Sequence, residues 1–185
     1  MAPLDIHVLG SPVLRQETRP VSAMTDELRR LVDDMFETMY AAKGVGLAAP
    51  QVGRRERLFV ADADERRLVF VNPEIVLAEG TAKGEEGCLS IPEVYGDVER
   101  AARVVMRGLD EHGAPIEVDA TGLLGRCLQH ELDHLDGRLF LDHLSMFRRR
   151  SAMARWERER AKYPALKRAI VAASDLAAQH HEDAL

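Results

Sequence analysis

The sequence predicts an α+β fold: antiparallel β-sheets packed around a central helix that carries a His-Glu-x-x-His motif, with an N-terminal and a C-terminal helix outside the sheets. Three observations lead there. Helical periodicity is confined to residues 25–43 and to the chain beyond residue 121. Between them lie short runs rich in branched and aromatic residues, divided by Gly80, Gly84, Gly108 and Gly113, with no strand–helix alternation. The 185 residues are 46% hydrophobic and 30% charged, ordinary globular usage and enough for one buried core.

In residues 25–43, Leu28, Leu31, Val32, Met35, Phe36 and Met39 recur at helical spacing, with Thr25 placed to cap the helix and Gly44 to stop it. A stripe of this kind packs a core. Residues 57–61 and 68–72 are β-rich runs around a charged hairpin tip at residues 62–66, and residues 74–78, 98–107 and 116–118 are further strand candidates. Residues 121–135 return to helical spacing and end at Asp136-Gly137, where Gly137 suits the left-handed C-cap position. Residues 148–163 are helical again. Pro164 breaks that helix, which is expected to restart over residues 164–179. His180 to Leu185 reads as a frayed tail, its His180-His181 pair a chance chelator at most.

The net charge of −6 argues against a protein that coats nucleic acid, DNA included. It hides an asymmetry: residues 148–168 carry nine Lys or Arg against Glu157 and Glu159, a local +7 that leaves −13 for the remainder. Two cysteines, Cys88 and Cys127, are too few for a disulfide scaffold. The N-terminus lacks the basic and apolar regions of a secretory signal, and no apolar run spans a bilayer. A cytoplasmic protein with reduced thiols and no membrane partner is expected.

The densest chemistry is Gln129-His130-Glu131-Leu132-Asp133-His134. Histidines four apart on a helix project from one face and can grip a single metal ion, and Glu131 is placed to handle protons beside it. The apolar helix around them makes two unrelated surface histidines the weaker reading. A hydrolytic site needs three protein ligands and one open position. Cys127 shares the helix face, but residues 127 and 134 are about 10.5 Å apart along the axis, too far for bonds of about 2.0–2.3 Å to close both. Cys127 is then a small buried hydrophobe lining the site. Cys88, in Glu86-Gly87-Cys88-Leu89-Ser90, is the remaining candidate, bound as thiolate. Asp133 either pairs with a basic neighbour or orients a ligand histidine, and Asp136 and His143 are equally open.

The second anomaly is Gly44-Val45-Gly46-Leu47-Ala48-Ala49-Pro50-Gln51. It lacks the signatures of phosphate and dinucleotide loops. Its small residues suit either a tight helix-to-strand connection or close approach of a ligand to backbone. Gln51 is an uncharged donor able to polarise a carbonyl.

Together the segments at residues 44–51, 86–90 and 129–137 resemble the three signature motifs of the peptide deformylases, in that family's order; the resemblance runs from about Ile6, through residues 10–15, to about Leu144. It implies that Cys88, His130 and His134 hold one divalent metal, natively Fe(2+), with Zn(2+), Ni(2+) or Co(2+) able to replace it in purified protein. It implies Glu131 as general acid/base and Gln51 and the Leu89 N–H as oxyanion donors. Val45, Gly46, Leu123, Arg126 and Cys127 fall where the family lines its pocket for methionine or contacts the peptide. The expected reaction is removal of the N-formyl group from the N-terminal methionine of nascent peptides, with metal-bound hydroxide attacking the formyl carbon and formate released. Gly125, where alanine is common, and Arg126, where an apolar residue is frequent, depart from the pattern. The expected division is one catalytic domain over residues 1–147 and a basic helical extension over residues 148–185, packed on or projecting from it.

Two rival readings remain. A metallopeptidase also uses His-Glu-x-x-His but takes its third ligand downstream, commonly Glu or His. An RNA-docking module could be built on residues 148–168, whose blander reading is a solvated helical face. The two ideas also combine: a basic helix on a deformylase would favour ribosomal RNA.

Overall fold

In a computed structural model, which describes residues 3–171, the elements run β1 (Ile6–His7), α1 (Asp26–Ala41), β2 (Gly46–Ala48), β3 (Leu58–Ala63), β4 (Arg66–Glu79), β5 (Ala82–Cys88), β6 (Ile91–Arg100), β7 (Arg103–Leu109), β8 (Pro115–Thr121), α2 (Gly122–Leu135), α3 (Met146–Glu159) and β9 (Lys167–Arg168). Thr25 caps α1 as expected, its hydroxyl accepting the Leu28 N–H at 3.2 Å. The strands form three antiparallel sheets: a five-stranded sheet in the order β2-β3-β4-β7-β8, the hairpin β5-β6, and the pair β1-β9.

Strand alternation places the two long core helices. On β3, Leu58 and Val60 face the α1 stripe of Leu31, Met35 and Met39, whereas Phe59 and Ala61 face Leu124, Leu128 and Leu135 of α2. Both faces of β3 are therefore buried. The far side of α2 meets β5 and β6, where Arg126 donates to the Ala82 and Val98 carbonyls at 2.8 and 3.0 Å. The motif helix is thus held between the large sheet and the β5-β6 hairpin. A third cluster joins Ile91, Val94 and Val98 of β6 to Phe140, Leu141, and Ala152 and Trp156 of α3, so α3 packs against the hairpin.

Several boundaries differ from the sequence reading. The hairpin tip is a two-residue turn, Asp64-Glu65, both at positive φ (52° and 61°), and pairing resumes at once between Ala63 and Arg66. The runs at residues 68–72 and 74–78 are one strand, β4, with a register shift at Asn72-Pro73. Asn72 makes the irregularity affordable in hydrogen bonds, since its side-chain oxygen accepts the Val21 N–H and its Nδ2 donates to Val21 O, each at 2.8 Å. Residues 98–107 are two strands that turn at Ala101-Ala102, and the stretch before Cys88, outside the strand candidates, is β5. The helix α2 ends at Asp136-Gly137 with Gly137 at φ 69°, as expected. The restarted helix is not found over residues 164–171, where a turn leads into β9 instead; its remainder and the His180-His181 pair lie outside the described residues.

Candidate metal centre

Three elements converge on one point. β5 ends in Cys88, α2 carries His130 and His134 one turn apart, and the turn Ala49–Val52 presents Gln51. The donor atoms of Cys88, His130 and His134 all lie within 4.8 Å of one another. Cys88 Sγ is 3.2 Å from His134 Nε2, and the two imidazoles meet edge to face with centroids 4.9 Å apart. His130 spends Nδ1 on Glu86, donating to Oε2 at 2.9 Å, which turns its Nε2 toward the other two donors. One sulfur and two imidazole nitrogens suit a transition-metal dication, and the fourth side opens on a cleft.

One orphaned polar atom strengthens the fit. Glu131 is 4% exposed and its Oε2 has no hydrogen-bond partner among the described residues. Such an atom is costly unless something charged or wet occupies the space it faces. His134 Nδ1, the ring nitrogen turned away from the donor cluster, is buried and without a partner among the described residues. Burial pushes the Glu131 carboxyl up to about 7, with the negative charge of Glu86 adding to the effect. Burial also holds His134 well below the ordinary imidazole value, keeping it in the neutral form that a ligand needs.

Gln51 is 1% exposed. Its Oε1 accepts the Ala48 N–H at 2.8 Å, which fixes the amide so that Nε2 points to Ser90 Oγ (3.1 Å) and Cys88 Sγ (3.6 Å). Val45 and Leu123, both about half exposed, line the cleft with Gly46, Leu89 and Cys127; its volume is about 530 Å³. A Cβ at Gly46 would lie 2.8 Å from Cys127 Sγ and overlap the Glu131 carboxylate, so the chain there must be glycine. Arg126 also lines the cleft, but its guanidinium turns away to Glu86 Oε1 (2.8 Å) and to the two strand carbonyls. Only its aliphatic stem is left for the pocket wall. Cys127 donates to Val45 O at 3.4 Å and stands apart from the donor cluster, with burial raising its thiol well above the ordinary value.

Sequence reasoning missed the charge cluster behind the ligands. Glu86 receives both its Oε atoms' bonds from Arg100 (2.8 and 2.9 Å), another from Arg126, and the His130 bond. Burial alone would raise its pKa; the Arg100 and His130 bonds outweigh it and hold the carboxylate ionised. Arg100 reaches on to Asp133 Oδ2 (2.5 Å), which His143 also meets at 2.7 Å. The open question on Asp133 resolves toward a basic partner, one bond removed from the residue that orients His130. Asp136 instead pairs with Arg57 at 2.8 Å. The signal for Glu86 was its spacing: residues two apart on a strand share a face, so Glu86 follows Cys88 to the site once β5 is recognised.

A family model described as polypeptide deformylase matches residues 3–150. The peptide deformylase of Alkalilimnicola ehrlichii is 52% identical over 162 residues, covering 85% of this chain and 91% of that protein. That of Phenylobacterium zucineum is 51% identical over 159 residues, 83% of this chain and 94% of its own. Among solved structures, a peptide deformylase from Legionella pneumophila is 44% identical with a TM-score of 0.80, covering 88% of this chain and 100% of that one. A peptide deformylase from Synechococcus elongatus in complex with actinonin is 46% identical, also at 0.80, over 84% and 88%. With the family model matching most of the chain and relatives about half identical, the chain belongs to the peptide deformylase family.

Proposed function

We propose that this protein removes the N-formyl group from the N-terminal methionine of newly made polypeptides in the cytoplasm and releases formate. The observation that carries the reading is the buried Glu131 carboxylate, with one oxygen unpartnered, beside the convergent donors of Cys88, His130 and His134. Those three residues would hold a divalent cation, Fe(2+) in the cell, which supplies Lewis-acid polarisation and lowers the pKa of water. Glu131, titrating near 7, accepts a proton from the attacking water and returns it to the departing amine. Gln51 Nε2 and the Leu89 N–H donate to the developing oxyanion. The methionine side chain lies against Val45, Gly46, Leu123, Cys127 and the Arg126 stem. Since β2 is an edge of its sheet, the peptide backbone can add to it, and to residues 91–95 across the cleft.

The test is substrate choice. Formate release from a formyl-Met peptide, with the acetyl-Met analogue and internal peptide bonds left intact, is expected; cleavage of internal bonds at comparable rates would sink the reading.

Residues 148–168 form the second part of the proposal: they dock the enzyme to the ribosome. Arg150, Arg155 and Arg158 are exposed, beside Met146 and Phe147, 81% and 85% exposed at the start of α3. Cosedimentation with ribosomes that is lost at high salt and on charge-neutralising these arginines is expected; binding indifferent to both would contradict docking.

A further inference from the structure

The family match stops at residue 150, yet the chain continues along the wall of the cleft. After α3 and a short turn at Arg160–Lys162, Tyr163 stacks on Trp156, ring centroids 6.0 Å apart and planes 11° from parallel. The Leu166 N–H closes a turn on Tyr163 O at 2.9 Å, and Leu166 O then accepts the Val8 N–H at 2.9 Å. This sets β9 against β1, with Arg168 opposite Ile6 and Lys167 opposite His7. Just past β1, the Leu9 N–H donates to Ser90 O at 2.8 Å, in the turn that follows Cys88 and Leu89. Leu166 and Tyr163 pack on the Trp156 cluster and Ile170 on the α1 cluster. The segment is therefore anchored at several points and tied to the metal-ligand turn, and it brings Tyr163 and Arg168 into the cleft lining.

We propose that Arg168 determines specificity, its guanidinium binding an acidic side chain of the substrate a few residues after the formyl-methionine. The inference rests on the deformylase reading. Arg168 is half-buried and lines the cleft, and among the described residues no carboxylate pairs with it. Arg126, the other arginine of the lining, is committed to Glu86. A guanidinium presents a planar pair of donors that matches a carboxylate in both geometry and charge. The lining also carries Glu85 and Glu93, so an acidic residue gains where the peptide passes Arg168 and loses beside those carboxylates. The preference belongs to one position of the peptide.

The test uses full-length, metal-loaded protein and a series of amidated formyl-Met tetrapeptides with Asp, Ala or Lys at each later position, alongside the neutral peptide as its free acid. At one position, kcat/KM for Asp over Lys is expected to be about fivefold, the upper range for a partly exposed ion pair. The ratio should fall to near one in Arg168→Ala and reverse in Arg168→Glu, through KM and not kcat, with urea unfolding midpoints close to wild type in both variants as a check on the fold. An unchanged ratio in both variants, or a response confined to the free-acid terminus, overturns the inference while leaving the deformylase reading intact. Wild-type protein releasing formate from no peptide would remove both.

Discussion

The Glu131 carboxyl has lost almost all contact with solvent, and one of its oxygens has no protein partner, an arrangement unfavourable for stability that only a function at that atom explains. Glu131→Ala should lower kcat for deformylation by about 10²–10⁴-fold, the usual range for a general acid–base group, with metal content unchanged; equal loss of metal would mean that Glu131 holds the ion and not the proton. The two cysteines separate cleanly. Cys88→Ser should cut the metal-to-protein ratio measured by elemental analysis, whereas Cys127→Ser should retain it, and the opposite result would reverse the ligand assignment. The convergence of His130 and His134 was legible from the sequence because helix geometry is rigid: a spacing of four makes them neighbours, and the axial rise separates Cys127 from His134. Glu86 and Arg100 were not, because their meeting depends on a strand pairing and not on local spacing.

At the scale of elements, the helices α1 and α2 were readable from apolar periodicity and their ends, α1 burying one stripe and α2 enclosed between the large sheet and the β5-β6 hairpin. The strand β5 was not. Its sequence, Ala-Lys-Gly-Glu-Glu-Gly-Cys, has little intrinsic strand preference, and the ladder to β6 imposes the conformation. The same override applies to β9, where pairing with β1 replaces the helix that residues 164–171 suggested. The edge strand β2 offers a direct probe. Gly46→Ala would press a methyl group into Cys127 and Glu131, so an overpacking cost of about 1–3 kcal/mol is expected in urea unfolding, with a fall in kcat as Glu131 is displaced. An alanine variant as stable and active as wild type would show that the strand stands further from α2.

For the whole molecule, the sequence identified an α+β fold with antiparallel sheets, and the likeness to solved peptide deformylase structures bears that out. What it could not reveal was how the chain ends are fastened, because ion pairs such as Arg15–Asp142 span more than a hundred residues. That pair and a local one, Arg54–Glu56, set a pH response away from the metal centre. The Arg54 guanidinium holds Glu56 below the usual carboxylate range; at Asp142, burial raises the value but bonds from Arg15 and the Leu139 N–H outweigh it. Both groups thus bind protons more weakly folded than unfolded. Their contribution is fully present above the unfolded values, 4.5 and 3.8, and is lost as pH falls through the lower folded ones. Urea midpoints of wild type should therefore drop more steeply below about pH 5 than those of Glu56→Gln/Asp142→Asn, and parallel curves would refute the assignment. The central claim is that Cys88, His130 and His134 hold a metal that makes this fold a deformylase. It is tested most directly by formate release from a formyl-Met peptide before chelation, after chelation and after restoring Fe(2+), Ni(2+) or Co(2+). Activity lost on chelation and recovered with metal is the predicted result; formate release that persists in metal-free protein would contradict it.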